Sequence, residues 1–137
     1  MNEACFEIVD HTADWSIRVV GVDWAGLLVH AAWGMSSLMV ADLTAVSPTL
    51  TRTFTLDAFD RESLLVAWLG ELAYLAEVEQ FVGCKFHLAD VTEQQLTAVV
   101  HGDHVPELQK HIKAVTYHNL EIQSTPQGLV ATLVFDV

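Results

Sequence analysis

The sequence predicts an α+β fold, in which two main helices pack on one face of a mixed or mostly antiparallel β-sheet. Two long segments carry apolar residues at helical spacing, and about seven shorter segments have strand character. With 137 residues, the chain has the usual size of one domain, which we expect to span residues 1–137. The composition, 52% hydrophobic and 18% charged, is typical of a compact chain and excludes a disordered one.

Each predicted helix follows an aspartate. Asp23 is the expected N-cap of the first helix, because apolar residues recur every three or four positions over 24–39. Asp60 is the expected N-cap of the second, whose body over 64–75 is apolar on more than one face. The second helix is therefore expected to be heavily buried against a sheet.

The predicted strands lie around these helices. Each is a short run with alternating or continuous apolar residues, bounded by residues that favour turns. Their ranges are 5–9, 16–20, 50–56, 85–91, 96–101, 114–122 and 129–137. Residues 102–113 are predicted to form a loop, and 124–128 a turn. The last strand is almost wholly apolar, which predicts a central place in the sheet.

The charge balance limits the choice of partners. The chain has 18 Asp and Glu against 6 Lys and Arg, a formal net charge of -12. Because nucleic acids bind mainly through neutralisation of their phosphates, tight direct binding of RNA or DNA is not expected. Such a surface attracts cations or a basic patch on a protein. The same charge also serves to keep an apolar-rich chain in solution.

The sequence lacks several motifs that would indicate a location outside the cytoplasm or a particular class of reaction. Residues 1–7 do not begin a secretory signal, and no stretch approaches the roughly 18 apolar residues of a membrane helix, so we expect a cytoplasmic protein away from membranes. Cys5 and Cys84 have no metal-binding spacing and are expected to be buried free thiols. No phosphate-binding glycine loop or nucleophile signature is present, which disfavours a nucleotide-hydrolysing enzyme.

Two acidic segments are candidates for a metal site. Residues 10–14, Asp-His-Thr-Ala-Asp, lie between the first two strands, where they serve equally well as a simple turn. At the other end of the chain, Asp136 and the terminal carboxylate of Val137 follow a strand expected to be buried. If Asp10 or Asp14 approaches them, the all-oxygen set suits calcium, magnesium or manganese. The alternative is a frayed, solvated C-terminus.

A third candidate is the basic segment 110–118. It contains Lys113, His111 and His118 within a stretch that leads into a predicted strand. The spacing of the two histidines matches neither a zinc finger nor a metalloprotease helix. The alternative is that these side chains are merely solvated.

Four segments together resemble the archease family. They are residues 6–14, the helix over 64–75, residues 113–118 (Lys-Ala-Val-Thr-Tyr-His) and the ending 134–137 (Val-Phe-Asp-Val). They occur in the family's order and span nearly the whole chain, which is more specific than any one motif. Trp15-Ser16 departs from the family signature, and residues 80–109 match only loosely.

The resemblance implies an accessory protein of an RtcB-type tRNA-splicing RNA ligase, not an enzyme. Archeases promote guanylylation of the ligase by GTP and so permit multiple turnovers. The family's metal, calcium, is implied to bind through Asp14, Asp136 and Val137. Lys113 matches a family lysine linked to activation.

Three further residues, Asp10, His11 and His118, are the other candidates for partner activation. The alternative function is a chaperone-like module for a tRNA-processing or tRNA-modifying enzyme. A metal-dependent hydrolase with His11 or His118 as base lacks a catalytic pattern. The sequence leaves the oligomeric state open.

Overall fold

The computed structural model describes residues 5–10 and 15–137, and it describes Asp10 without its side chain. Within these ranges the chain forms two α-helices, a short 3-10 turn at Leu43–Ala45 and eight β-strands. The helices are α1 (Trp24–Met39) and α2 (Arg61–Glu79). The strands are β1 (Phe6–Asp10), β2 (Trp15–Gly21), β3 (Leu50–Asp57), β4 (Phe81–Ala89), β5 (Gln95–His104), β6 (Ala114–Thr116), β7 (Gln123–Thr125) and β8 (Gly128–Asp136).

Both predicted helices and their caps are confirmed. The side chain of Asp23 accepts a hydrogen bond from the backbone N–H of Gly26 at 2.8 Å. The side chain of Asp60 accepts one from the N–H of Ser63, also at 2.8 Å. Each carboxylate thus satisfies a backbone donor that has no partner within its own helix.

The strands form two antiparallel sheets, which confirms the α+β class but replaces the single predicted sheet. One has the order β1-β2-β8-β6, with β7 also paired to β8, and the other has the order β3-β5-β4. The helix α1 contacts both β2 and β4, and α2 contacts β3, β4 and β6. The helices therefore pack against both sheets around one hydrophobic core.

Strand β8 is central, as its apolar sequence predicted. It pairs with β2 on one side and with β6 and β7 on the other. Leu133 and Phe135 are fully buried on its core face. The start of β2 and the end of β8 are consequently fixed by pairing within the sheet.

The segment between β6 and β8 differs from prediction. The strand predicted over 114–122 ends at Thr116, and the chain turns at Asn119, whose φ of 52° is left-handed. Asparagine adopts this conformation more readily than most residues, which explains the early end. Part of the predicted turn over 124–128 lies in β7, which pairs with the start of β8.

Both cysteines are free thiols, as predicted. Cys5 is buried and Cys84 is half-buried. Burial raises the pKa of each thiol, so both favour the neutral form. Within the described ranges, neither helix is long and apolar enough to cross a membrane.

Candidate functional site

The start of β2 and the end of β8 lie side by side where the strands of the five-stranded sheet begin and end. This edge is a row of strand ends and not an outer strand. Trp15, the first residue of β2, pairs with Phe135 in β8 and with Asp10, the last residue of β1. Asp136 follows Phe135 directly. The end of β1, the start of β2 and the end of β8 therefore lie together at this edge, which we call the β8 edge.

Strand β6 reaches the same edge with the third candidate segment. Ala114 pairs with Asp136, and the backbone N–H of Lys113 donates to the carbonyl oxygen of Asp136 at 2.7 Å. Lys113 is thus held beside Asp136 through the backbone, while its side chain is exposed. An exposed ammonium group at this position can meet an anion on a partner.

A second lysine lies at the β8 edge. The ammonium nitrogen of Lys110 is 3.7 Å from the centroid of the Trp15 ring, a cation–π contact. Sequence analysis missed this pair, because the two residues are 95 positions apart, from 15 to 110. Two of the chain's six Lys and Arg residues therefore flank the end of β8.

The end of the chain is held in place in this structure. Asp136 is the last residue of β8, and the side chain of Val137 is half-buried and packs against the core. This argues against the frayed C-terminus of the alternative interpretation. The Asp136 side chain itself is exposed, so its carboxylate oxygens are free to bind a cation or water.

Two site candidates, His11 and Asp14, lie outside the described residues, as does the side chain of Asp10. Across residues 5–10 and 15–137, no group of three or more His, Cys, Asp and Glu side chains is arranged to hold a metal ion. The oxygen donors that the described part offers are those of Asp136 and Val137. Such donors suit a hard cation, and a complete site needs further oxygens from elsewhere in the chain.

The two histidines of the basic segment occupy different places. His111 Nδ1 is 2.8 Å from Glu77 Oε1 on α2, an exposed contact. His118 lies in the turn after β6, where its Nε2 is 3.3 Å from Asn119 Nδ2. Strand β6 runs from the β8 edge towards this turn, so His118 is carried away from Asp136.

Sequence comparison places the chain among known proteins. Residues 6–137 match the model of the Archease protein family (MTH1598/TM1083). The protein archease of Methanosarcina acetivorans is 36% identical over 140 residues, covering 96% of this chain and 95% of the relative. The protein archease of Saccharolobus solfataricus is 34% identical over 137 residues, with 96% and 98% covered.

Solved structures agree with this result. The solution structure of Methanobacterium thermoautotrophicum protein 1598 superposes with a TM-score of 0.78 at 27% identity, covering 97% of this chain and 99% of the other. A crystal structure from Thermotoga maritima, described as an archease and possible chaperone, shares the fold with a TM-score of 0.67 at 16% identity and 96% coverage of both chains. By its family model and its near full-length relatives, the chain belongs to the archease family.

Proposed function

We propose that this protein activates an RtcB-type RNA ligase in the cytoplasm by promoting its GTP-dependent guanylylation, and hence its multiple turnover. The observation that carries the proposal is that β2, β6 and β8 lie together at the β8 edge. There the backbone N–H of Lys113 donates a hydrogen bond to the carbonyl oxygen of Asp136. Membership of the archease family supports an accessory role. We propose no catalytic residue in this chain.

The proposed metal ligands are Asp14, Asp136 and Val137. A peptide bond joins Asp14 to Trp15, and Trp15 pairs with the residue directly before Asp136. The proposal takes Asp14, the residue before Trp15 in the sequence, as the ligand that joins Asp136 and Val137. Three carboxylates form an all-oxygen set, which suits calcium first, with magnesium or manganese as alternatives. When bound, such an ion supplies positive charge that neutralises phosphate oxygens.

The other residues at the β8 edge have positioning roles in this proposal. Lys113 presents its ammonium group beside Asp136, where it can bind a phosphate of GTP or an acidic group of the ligase. Asp10, the last residue of β1, and His11, which follows it in the sequence, are proposed partner contacts. His118 is displaced along β6, which favours a peripheral contact with the ligase.

Charge supports association with the ligase and not with RNA. A net charge of -12 opposes tight binding to phosphates and favours the basic face on which a ligase holds its RNA. The chain would therefore approach the ligase where RNA also binds. The β8 edge, with its two lysines, would then face the GTP site.

The proposal is tested by counting ligation events per ligase molecule with GTP and manganese present. Wild-type protein is expected to give many turnovers, and Asp14→Asn and Asp136→Asn to give about one. The control is Asp90→Asn: Asp90 is exposed, lies between β4 and β5 on the other sheet, and has a φ of 53° that asparagine also tolerates. Equal turnover with wild type and Asp14→Asn contradicts the metal role.

A chaperone-like module is the second candidate function. It is favoured by two exposed apolar side chains one turn apart on α2, Tyr74 at 55% and Val78 at 62% exposure. The Thermotoga maritima relative is described as a possible chaperone. This function predicts that the protein lowers aggregation of its client and that Asp136→Ala does so as well as wild type.

A further inference from the structure

A groove runs between α2 and the chain segment that leads into β6. Its volume is about 520 Å³. One side of the groove is a face of α2 that carries Gly70, Ala73, Tyr74 and Glu77. The other side is formed by residues 111–115. The groove reaches Lys113 and Ala114, the residues bonded or paired to Asp136, so it opens next to the β8 edge.

Within residues 5–10 and 15–137, no side chain packs against the position of Gly70. It lies in the interior of the 19-residue helix α2, where glycine destabilises a helix relative to alanine or leucine. Apart from its chain neighbours and the backbone of its own helix, a Cβ atom added at Gly70 would meet no described heavy atom within 4 Å. One added at Gly83 or Gly102 would overlap neighbouring atoms. The glycine therefore keeps open a space that the described part of the chain does not fill.

The walls of the groove define the chemistry of an occupant. Ile112 and Val115 are buried at its base, and Tyr74 is more than half exposed at its rim, so the groove accepts an apolar side chain. Glu77, the acidic residue of the lining, lies at one end and contacts His111, and the lining also contains Lys113. A carboxylate beside an apolar surface favours an apolar segment that also carries Lys or Arg. A second copy of this chain is disfavoured, because two chains of charge -12 repel each other.

We propose that this groove binds a segment of the partner ligase, with an apolar side chain packed against Gly70 and a basic side chain facing Glu77. The inference rests on the proposed function, since it takes the ligase as the occupant. It adds a docking surface that is separate from the metal ligands. Docking here would place the β8 edge against the ligase in a fixed orientation.

The experiment measures the Kd of the ligase complex for Gly70→Leu. The leucine side chain would fill the groove, and leucine is a better helix former than glycine. We expect the Kd to rise at least tenfold while the melting temperature rises by about 2–4 °C. Weaker binding by a more stable variant cannot be explained by unfolding. An unchanged Kd would overturn the groove proposal.

A matched pair of charge variants tests the second contact. Glu77→Gln and Glu71→Gln each remove one negative charge from α2, but only Glu77 lines the groove. We expect Glu77→Gln to weaken binding several-fold more than Glu71→Gln, and equal effects would count against the basic contact at Glu77. Hydrogen exchange of the wild type gives an independent result: ligase should slow exchange of the amides at 111–115, and unchanged exchange would overturn the proposal.

Failure of the groove and failure of the proposed function are distinguishable. If wild type binds the ligase and raises its turnover while Gly70→Leu behaves identically, only the groove proposal is lost. If wild type neither binds nor activates the ligase, the proposed function is overturned, and with it the ligase as occupant.

Discussion

Asp60 shows how one side chain can fix the start of a helix. Its carboxylate accepts one hydrogen bond from the backbone N–H of Ser63 and a weaker one from the side chain of Ser63. Both bonds lower the pKa of the carboxyl group. The folded state thus favours the charged form. The stabilisation is present above the usual Asp pKa of about 4 and is lost as pH falls through the lower folded pKa.

Two variants at this position separate the cap from its charge. Asparagine keeps a capping oxygen without the charge, and alanine removes both. We expect Asp60→Ala to lower the melting temperature by a few degrees at pH 7. We expect Asp60→Asn to be less stable than wild type at pH 7 but to match it near pH 2. Thermal unfolding followed by circular dichroism checks both; a constant difference across this pH range would contradict the charge effect.

Residue-scale features could be predicted from the sequence only when they are local. The caps Asp23 and Asp60 act on amides three positions away, so composition and spacing sufficed. The contact of Lys110 with Trp15 joins distant parts of the chain and depends on strand pairing that no local pattern reveals. The significance of Gly70 likewise required knowledge of what surrounds it.

At the scale of elements, one buried hydrogen bond ties the two helices together. The indole N–H of Trp68, fully buried in α2, donates to the carbonyl oxygen of Leu28 in α1 at 2.8 Å. Trp24 makes a similar bond, 2.9 Å long, to the carbonyl oxygen of Thr92, but in an exposed setting. The chain therefore offers a matched pair of tryptophans in different environments.

We expect Trp68→Phe to lower the free energy of unfolding by about 2–4 kcal/mol, through the lost hydrogen bond and the small cavity left behind. Trp24→Phe should cost less than about 1 kcal/mol, because water can replace the exposed bond. Urea unfolding measures both. Equal losses for the two variants would show that the bond between the helices adds nothing beyond the surface bond.

The elements themselves were predicted unevenly. The long helices and the central apolar strand have strong periodic patterns and agree with prediction. Strands β6 and β7 have only three residues each, too few for a periodic signal, and their ends are set by the turn at Asn119 and by pairing with β8. The division into two sheets also escaped prediction, because it depends on which distant strands pair.

At the scale of the whole molecule, charge governs how the protein meets a partner. With a net charge of -12, the proposed attraction to a basic face of the ligase would act over distance and would be screened by salt. We expect the association rate constant to fall at least tenfold between about 50 and 500 mM salt, whereas the dissociation rate constant changes much less. Stopped-flow binding measures both. An association rate independent of salt would exclude electrostatic steering.

We propose two adjoining surfaces for the ligase complex, which share Lys113. The β8 edge contributes Asp136, Val137 and Lys113, and the groove beside α2 contributes an apolar docking surface. Family resemblance implied Asp14 and the last two residues as metal ligands. Strand register adds that Trp15 and Phe135, which precede or follow these residues directly, are paired neighbours, and this supports the proposed site.

Calorimetric titration with calcium tests this site most directly. Our account predicts that wild-type protein binds one ion per chain at the β8 edge. Asp14→Asn and Asp136→Asn should each weaken binding at least tenfold, and Asp90→Asn should leave it unchanged. Calcium binding that is equally strong in wild type, Asp14→Asn and Asp136→Asn would contradict the account.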